Sequence, residues 1–250
     1  MKKLLLILFV FLLTGCSIEV FFKDYSKGKE LFEAGKFKEA IDILEDIVIQ
    51  KKTTNEPILC LTSFMLGYSY EQMSYGEIND GKILNKGKYL TCYMQSKYYY
   101  QKYLEKYKYD YEDKSGERKN RAYEGIARNE YSKIRRIEKD FDKLTDVIKY
   151  MDENINYENN FSSMRLKACI FEQMGKYESA LYWHEKSMGK NMEAPWDGIQ
   201  WSKLGVARCY LALNNRKEAK KAYMFVLVIN PMNEEAKKEL KLMLMEEGKL

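Results

Sequence analysis

A spacing pattern that recurs along the chain constrains its fold more than any other feature. Gly28, Leu31 and Gly35, then Gly67, Tyr70 and Ser74, then Ala168, Phe171 and Gly175 each place a small residue, a large one three later and a small turn residue four beyond that. In the first and third copies an aromatic and then an alanine follow, Phe37 with Ala40 and Tyr177 with Ala180. Residues three and four apart share a helix face. The small residue lets a second helix approach closely, glycine turns the corner, and the aromatic fills the gap between the two helices. Such a helix pair cannot bury its apolar face alone, so copies must stack on one another. Composition agrees: three prolines in 250 residues weigh against a β-sandwich, and 46% hydrophobic content is too high for a disordered chain.

The pattern resembles the tetratricopeptide repeat, a helix–turn–helix unit of about 34 residues. The best-formed copy is the last, where Ala207, Tyr210, Ala219, Tyr223 and Pro231 stand at the family's small, large and helix-stopping positions. Two copies are degenerate; Ser96, Tyr100 and Tyr103 read as one second helix, and Phe141, Leu144, Ile148 and Met151 as another. Aligning Ala40, Ser96, Leu144, Ala180 and Ala219 gives intervals of 56, 48, 36 and 39 residues. The excess falls mainly in two insertions, near 74–91 and 108–121, read as loops from Asn79, Asp80 and Gly81 and from Ser115 and Gly116. The expected fold is all-α: a solenoid over 21–250 of about five such hairpins. They end in a capping helix over 234–250 with Ala236, Leu240, Met243 and Leu244 on one stripe.

The N-terminus carries an address. Lys2 and Lys3 precede an unbroken apolar run from Leu4 to Leu13. Such a run rises only about 15 Å as a helix, too short to span a bilayer, so 1–15 is read as a signal peptide. The run ends in Leu13, Thr14, Gly15 and Cys16, which resembles the lipobox of bacterial lipoproteins. That resemblance implies cleavage after Gly15, a diacylated Cys16 and a short tether over 16–20. Two acyl chains anchor stably where one is marginal. Cleavage removes two lysines and lowers the net charge from +5 to +3. The expected location is the cell envelope, on the periplasmic face of the outer membrane in a two-membrane organism, because Ser17 rather than Asp follows the lipidated cysteine.

Chemical motifs are sparse. Gly76, Gly81 and Lys82 match P-loop spacing, but Ile83 stands where a magnesium-binding hydroxyl is needed. His184, the single histidine, sits where the repeat carries a large packing residue. Cys60, Cys92, Cys169 and Cys209 lack paired-cysteine spacing and read as free packing thiols, with disulfides left open. Residues 89–111 hold nine tyrosines, of which Tyr100, Tyr103 and Tyr107 read as packing and Tyr98, Tyr109 and Tyr111 as exposed. The basic stretch 114–143, with adjacent Arg135 and Arg136, reads as a solvated face, with a membrane-facing or partner-facing surface as the alternative. No catalytic residue, metal or cofactor is expected, and the mild charge does not suit nucleic acid.

In the tetratricopeptide family the first helices line a groove for peptides. Carried over, its groove positions fall on Tyr25, Lys29 and Phe32, on Glu71 and Gln72, on Arg165, Glu172 and Gln173, and on Trp201, Arg208 and Leu211. The expected function is a non-catalytic, membrane-anchored adaptor that binds envelope proteins or peptides. Length, anchor and repeat number resemble the lipoprotein of the outer-membrane β-barrel assembly machine, to whose first repeat Tyr25 to Leu44 is similar; a pilus-assembly lipoprotein is a second candidate. The alternative is an envelope lipoprotein that binds a small molecule, glycan or free peptide in a closed pocket.

Overall fold

The computed structural model describes residues 22–49, 55–79, 82–158, 160–189 and 195–246. Cys16, the signal peptide and the tether lie outside them. In chain order the helices are α1 (22–33), α2 (Phe37–Ile49), α3 (Glu56–Gly76), α4 (Lys86–Lys106), α5 (Glu117–Lys133) and α6 (Leu144–Asn154). They continue with α7 (Phe161–Gln173), α8 (Tyr177–Lys186), α9 (Trp196–Ala212), α10 (Arg216–Ile229) and α11 (Glu234–Glu246). In chain order these are five successive pairs and a closing helix, of which α3 with α4, α7 with α8 and α9 with α10 pack directly on one another. The chain divides into an N-terminal compact unit up to Asn129 and a C-terminal one from Glu130. No helix among the described residues is long and apolar enough to cross a membrane.

Local sequence explains where the helices start and stop. Asn55, Asn85, Asn160 and Asn215 each accept a backbone N–H of the helix that follows, so the chain's asparagines serve as N-caps. Gly35 (φ 71°) and Gly175 (φ 72°) take the left-handed conformation between the helices of their pairs, and Asn214 (φ 58°) does the same between α9 and α10. In each case the N–H one residue later reaches back five residues, as from Lys36 to Leu31, Lys176 to Phe171 and Asn215 to Tyr210.

The described parts of both insertions are more ordered than loops, Asp80 and Gly81 lying outside the described residues. Ser74, expected to turn the chain, donates its hydroxyl to the Glu71 carbonyl at 2.7 Å and stays helical, so α3 runs on to Gly76. Only a short antiparallel ladder, β1 (Ile78–Asn79) with β2 (Lys82–Ile83), separates it from α4. A helix rather than a strand therefore leads into Gly76, which does not suit a P-loop. Near the second insertion a 3-10 turn (Tyr107–Tyr109) leads to a loop held by Asp110 and Asp113. Arg118 pairs with Asp110 at 2.6 Å, while the Asp113 carboxylate accepts the Arg118 and Lys119 N–H groups at the start of α5. Of the tyrosines, Tyr100 and Tyr103 are fully buried, Tyr98 and Tyr111 are exposed, and Tyr107 and Tyr109 are half-buried.

The aligned positions Ala40, Ser96, Leu144, Ala180 and Ala219 all have zero exposure, and all but Leu144 are small, as a close helix–helix seam requires. Phe141 is the exception in the third pair: it lies in a 3-10 turn outside α6 and is exposed. At the seams a large side chain seats over a glycine. A Cβ at Gly67 or Gly125 would run into the Tyr100 ring, and one at Gly205 into the His184 ring. In the C-terminal unit α11 closes the core with Ala236 and Met243, against Val206, Tyr223 and Val226. Gly125→Ala and Gly205→Ala should each destabilise their own unit by about 1–3 kcal/mol through overpacking. Gly76→Ala, with open space at its Cβ, should be neutral or stabilising by up to about 1 kcal/mol. Chemical denaturation of the three variants checks the contrast.

Candidate functional site

The seam residues lead directly to a charged arrangement that occurs twice. In the N-terminal unit Glu71 is fully buried and accepts the Tyr75 and Tyr100 hydroxyls, each at 2.7 Å. Arg121 Nη2 donates to it at 2.9 Å, and Arg128 Nε stands 3.5 Å away. In the C-terminal unit Glu172 takes the same role. The Arg208 guanidinium forks onto both its oxygens, with Nη2 at 3.0 Å, and His184 Nε2 lies 3.3 Å from Oε2. Sequence underlies the repetition: Tyr70-Glu71-Gln72-Met73 and Gly125-Ile126-Ala127-Arg128 recur as Phe171-Glu172-Gln173-Met174 and Gly205-Val206-Ala207-Arg208.

Electrostatics follow from these contacts. Burial alone would raise the Glu71 carboxyl, but Arg121, Arg128 and the two phenols outweigh it and hold the group below its ordinary 4.5. Burial also opposes ionisation of Glu172, which His184 and Arg208 bring down to about 2. His184 is fully buried, and that burial lowers its imidazole below the usual value despite Glu172. A neutral ring beside an ionised carboxylate carries its proton on Nε2. Nδ1 is then a buried atom without a hydrogen-bond partner.

Around Glu172 the C-terminal unit opens a cleft of about 650 Å³. α7 contributes Cys169, Glu172 and Gln173; α9 contributes Trp201, Arg208 and Ala212. Tyr177 opens α8 at its edge, Glu235 of α11 meets Arg208 Nη1 at 3.3 Å, and Tyr131 and Arg135 complete the wall. Arg135 lies in a π turn (Ile134–Glu138) that extends α5, and it donates to the Tyr131 hydroxyl. Trp201 is 55% exposed, an uncommon state for so large a ring.

Of the expected groove residues, Glu172, Gln173, Trp201 and Arg208 share this cleft. Tyr25, Lys29 and Phe32 line a smaller one of about 190 Å³ in the N-terminal unit, with Phe64, Glu112 and Arg118. Others are placed differently. Glu71 has no exposed surface, because its charge is consumed by its own arginines. Leu211 packs against the core, Arg165 lies against Gly198, and Gln72 is half-buried outside both clefts. Tyr131, Arg135, Cys169, Tyr177 and Glu235 line the cleft without having been among the expected groove residues. The recurring Gly-x-Ala-Arg segment was the available signal, since it sets the register of α5 and carries the wall to Tyr131 and Arg135. Cys169 is half-buried on the cleft, not a core thiol, whereas Cys60, Cys92 and Cys209 are buried; all four are free.

No family model matches the chain, and no curated protein does. Among solved structures the chain is similar to a Podosopora anserina protein described as a kinesin light chain with nearly identical TPR-like repeats, at 15% identity over 85% of this chain and 95% of that one, with a TM-score of 0.49. A single-substitution variant of that protein aligns at 14% identity over the same shares, with a TM-score of 0.50. The fold is a TPR-like helical-repeat fold.

The buried carboxylates make stability depend on acid. Because Glu71 has a folded value below its unfolded one, its contribution is complete above pH 4.5 and is lost as pH falls through the folded value. Melting temperatures of the wild-type chain should therefore drop as pH falls below about 4.5. Glu71→Gln should be less stable at neutral pH and show a shallower acid slope. Equal slopes would show that Glu71 is not the group responsible.

Proposed function

We propose that the chain is a non-catalytic, membrane-anchored adaptor lipoprotein whose C-terminal unit holds a segment of a partner protein in the cleft around Glu172. The observation that carries it is Trp201, half out in solvent beside an Arg–Glu pair already fixed in place. An exposed aromatic next to rigid polar groups is the composition of a protein-binding hot spot. Arg135, exposed where it lines the cleft, donates to the Tyr131 phenol and has further guanidinium donors to offer a carboxylate or backbone carbonyl of the bound segment. The cleft volume falls in the range of small-molecule sites, but such sites are lined mainly by apolar side chains. Four charged residues on the wall, Arg135, Glu172, Arg208 and Glu235, favour a polar peptide instead.

Anchoring rests on the lipobox-like Leu13 to Cys16, and an envelope partner follows from that address. The resemblance of the opening repeat to the β-barrel assembly lipoprotein makes an outer-membrane assembly complex the first partner to test.

The experiment is crosslinking and co-purification from the native membrane, comparing wild type with Trp201→Ala plus Arg135→Ala. Both side chains are exposed and outside the Glu172 ion pair, so folding is preserved. Partner recovery should fall at least about tenfold, as expected when a hot-spot residue is truncated. Unchanged recovery rejects the cleft as the docking site. Separately, Cys16→Ser should release the chain from the membrane fraction; retention there rejects the lipid anchor.

A further inference from the structure

Laying the two carboxylate arrangements over one another by their shared sequence shows, among their differences, four that bear on the chemistry around the carboxylate. Where the N-terminal unit has Tyr68, Tyr100 and Asn129, the C-terminal unit has Cys169, His184 and Cys209. Where the N-terminal unit has Arg121, the second cation on its carboxylate, the C-terminal unit has Trp201. Three side chains that bind metals poorly are thus replaced by two thiols and an imidazole, and one positive charge is removed beside the retained glutamate. The chain's single histidine and two of the four cysteines after Cys16 gather at this one point.

We propose that Glu172, His184 and Cys209, with Cys169 as the fourth ligand, form a binding site for a divalent cation of zinc type at the floor of the C-terminal cleft. Ligand atoms of Glu172, His184 and Cys209 all lie within 4.8 Å of one another, each from a different helix, α7, α8 and α9. A tetrahedral zinc ion with nitrogen, sulfur and oxygen ligands at about 2.0–2.3 Å draws such a set together by small side-chain movements. Cys169 stands one helical turn before Glu172 and lines the cleft, which makes it the candidate for the fourth position by a side-chain rotation and makes the cleft the path of entry. Glu172 keeps one oxygen on Arg208 while the other turns to the ion. Arg208 retains Glu235 as a further carboxylate, so its charge stays compensated.

The charges and protons balance. Two thiols each lose a proton to solvent and become thiolates that neutralise the divalent ion. The imidazole stays neutral: Nε2 releases its proton to solvent and Nδ1 takes one up, so that Nε2 offers its lone pair to the ion. The glutamate–arginine pair remains neutral overall. Because two thiols must lose their protons on binding, affinity should rise with pH.

The test uses the full chain, reduced and stripped of metal, titrated with Zn²⁺ and, as a spectroscopic probe, Co²⁺. Wild type should bind one ion, show a thiolate-to-cobalt charge-transfer band, and melt roughly 5–10 °C higher at a hundredfold excess over Kd. The paired variant His184→Tyr with Cys209→Asn, which copies the N-terminal unit, should lose the band and the melting shift. Cys169→Ser, at a half-exposed position, should fold normally and bind at least about tenfold more weakly. Absence of the band in wild type overturns the site, as does its persistence in the paired variant or unchanged affinity in Cys169→Ser. If the paired variant fails to fold, the wild-type spectrum and Cys169→Ser decide alone.

Discussion

The molecule depends on one kind of contact, a large side chain on the second helix of a pair seated where a facing helix lacks a Cβ. Leu44 does this over Gly28, Tyr100 over Gly67 and Gly125, and His184 over Gly205. The glycines bring helix backbones close enough for dispersion to act across the whole seam, and the knob removes the void they would leave. When the knob is leucine nothing more is needed. When it is tyrosine or histidine, its polar atom is buried and must find a partner. Glu71 and Glu172 meet that need, and a buried carboxylate in turn demands a cation, which Arg128 and Arg208 supply. The charged residues at the seams follow from the packing.

That chain of necessity explains which features were legible beforehand. The small–large–turn spacing is a direct image of the seam, so Ala40, Ser96, Leu144, Ala180 and Ala219 were found and all prove buried. The helix ends were less legible. Ser74 is a turn former by type, yet its hydroxyl is satisfied inside α3 by the Glu71 carbonyl, and Asn85 rather than the insertion's glycines decides where α4 begins. Spacing reports which face of a helix is apolar; it does not report how a polar side chain on the border will be satisfied.

The same limit governs the site. Glu71 and Glu172 occupy identical sequence surroundings, and family register assigns both to a groove. Their fates differ because of residues far along the chain: Arg121, 50 residues from Glu71, closes the first carboxylate off, while Trp201 in the corresponding place leaves the second facing a cleft. Knowing the helix register of α5 would have been enough, since it is the arginine one helical face away that decides exposure. Cys169 illustrates the reverse case. Its apolar neighbours suggested a core thiol, yet it borders Glu172 on the open side.

The two units thus carry one design in two electrostatic states. In the first, two guanidiniums and two phenols saturate the carboxylate, which makes the network a rigid strut with no capacity left for a ligand. In the second, one guanidinium and one imidazole hold the carboxylate, the imidazole retains an unpartnered nitrogen, and an indole takes the place of the missing cation. Exposing that indole forgoes burial of a large apolar surface, which at about 25 cal/mol per Å² is a substantial sacrifice for a helix that could have carried arginine. Stability alone would therefore select the first arrangement in both units. The second is the arrangement that the occupant proposed for the cleft would require.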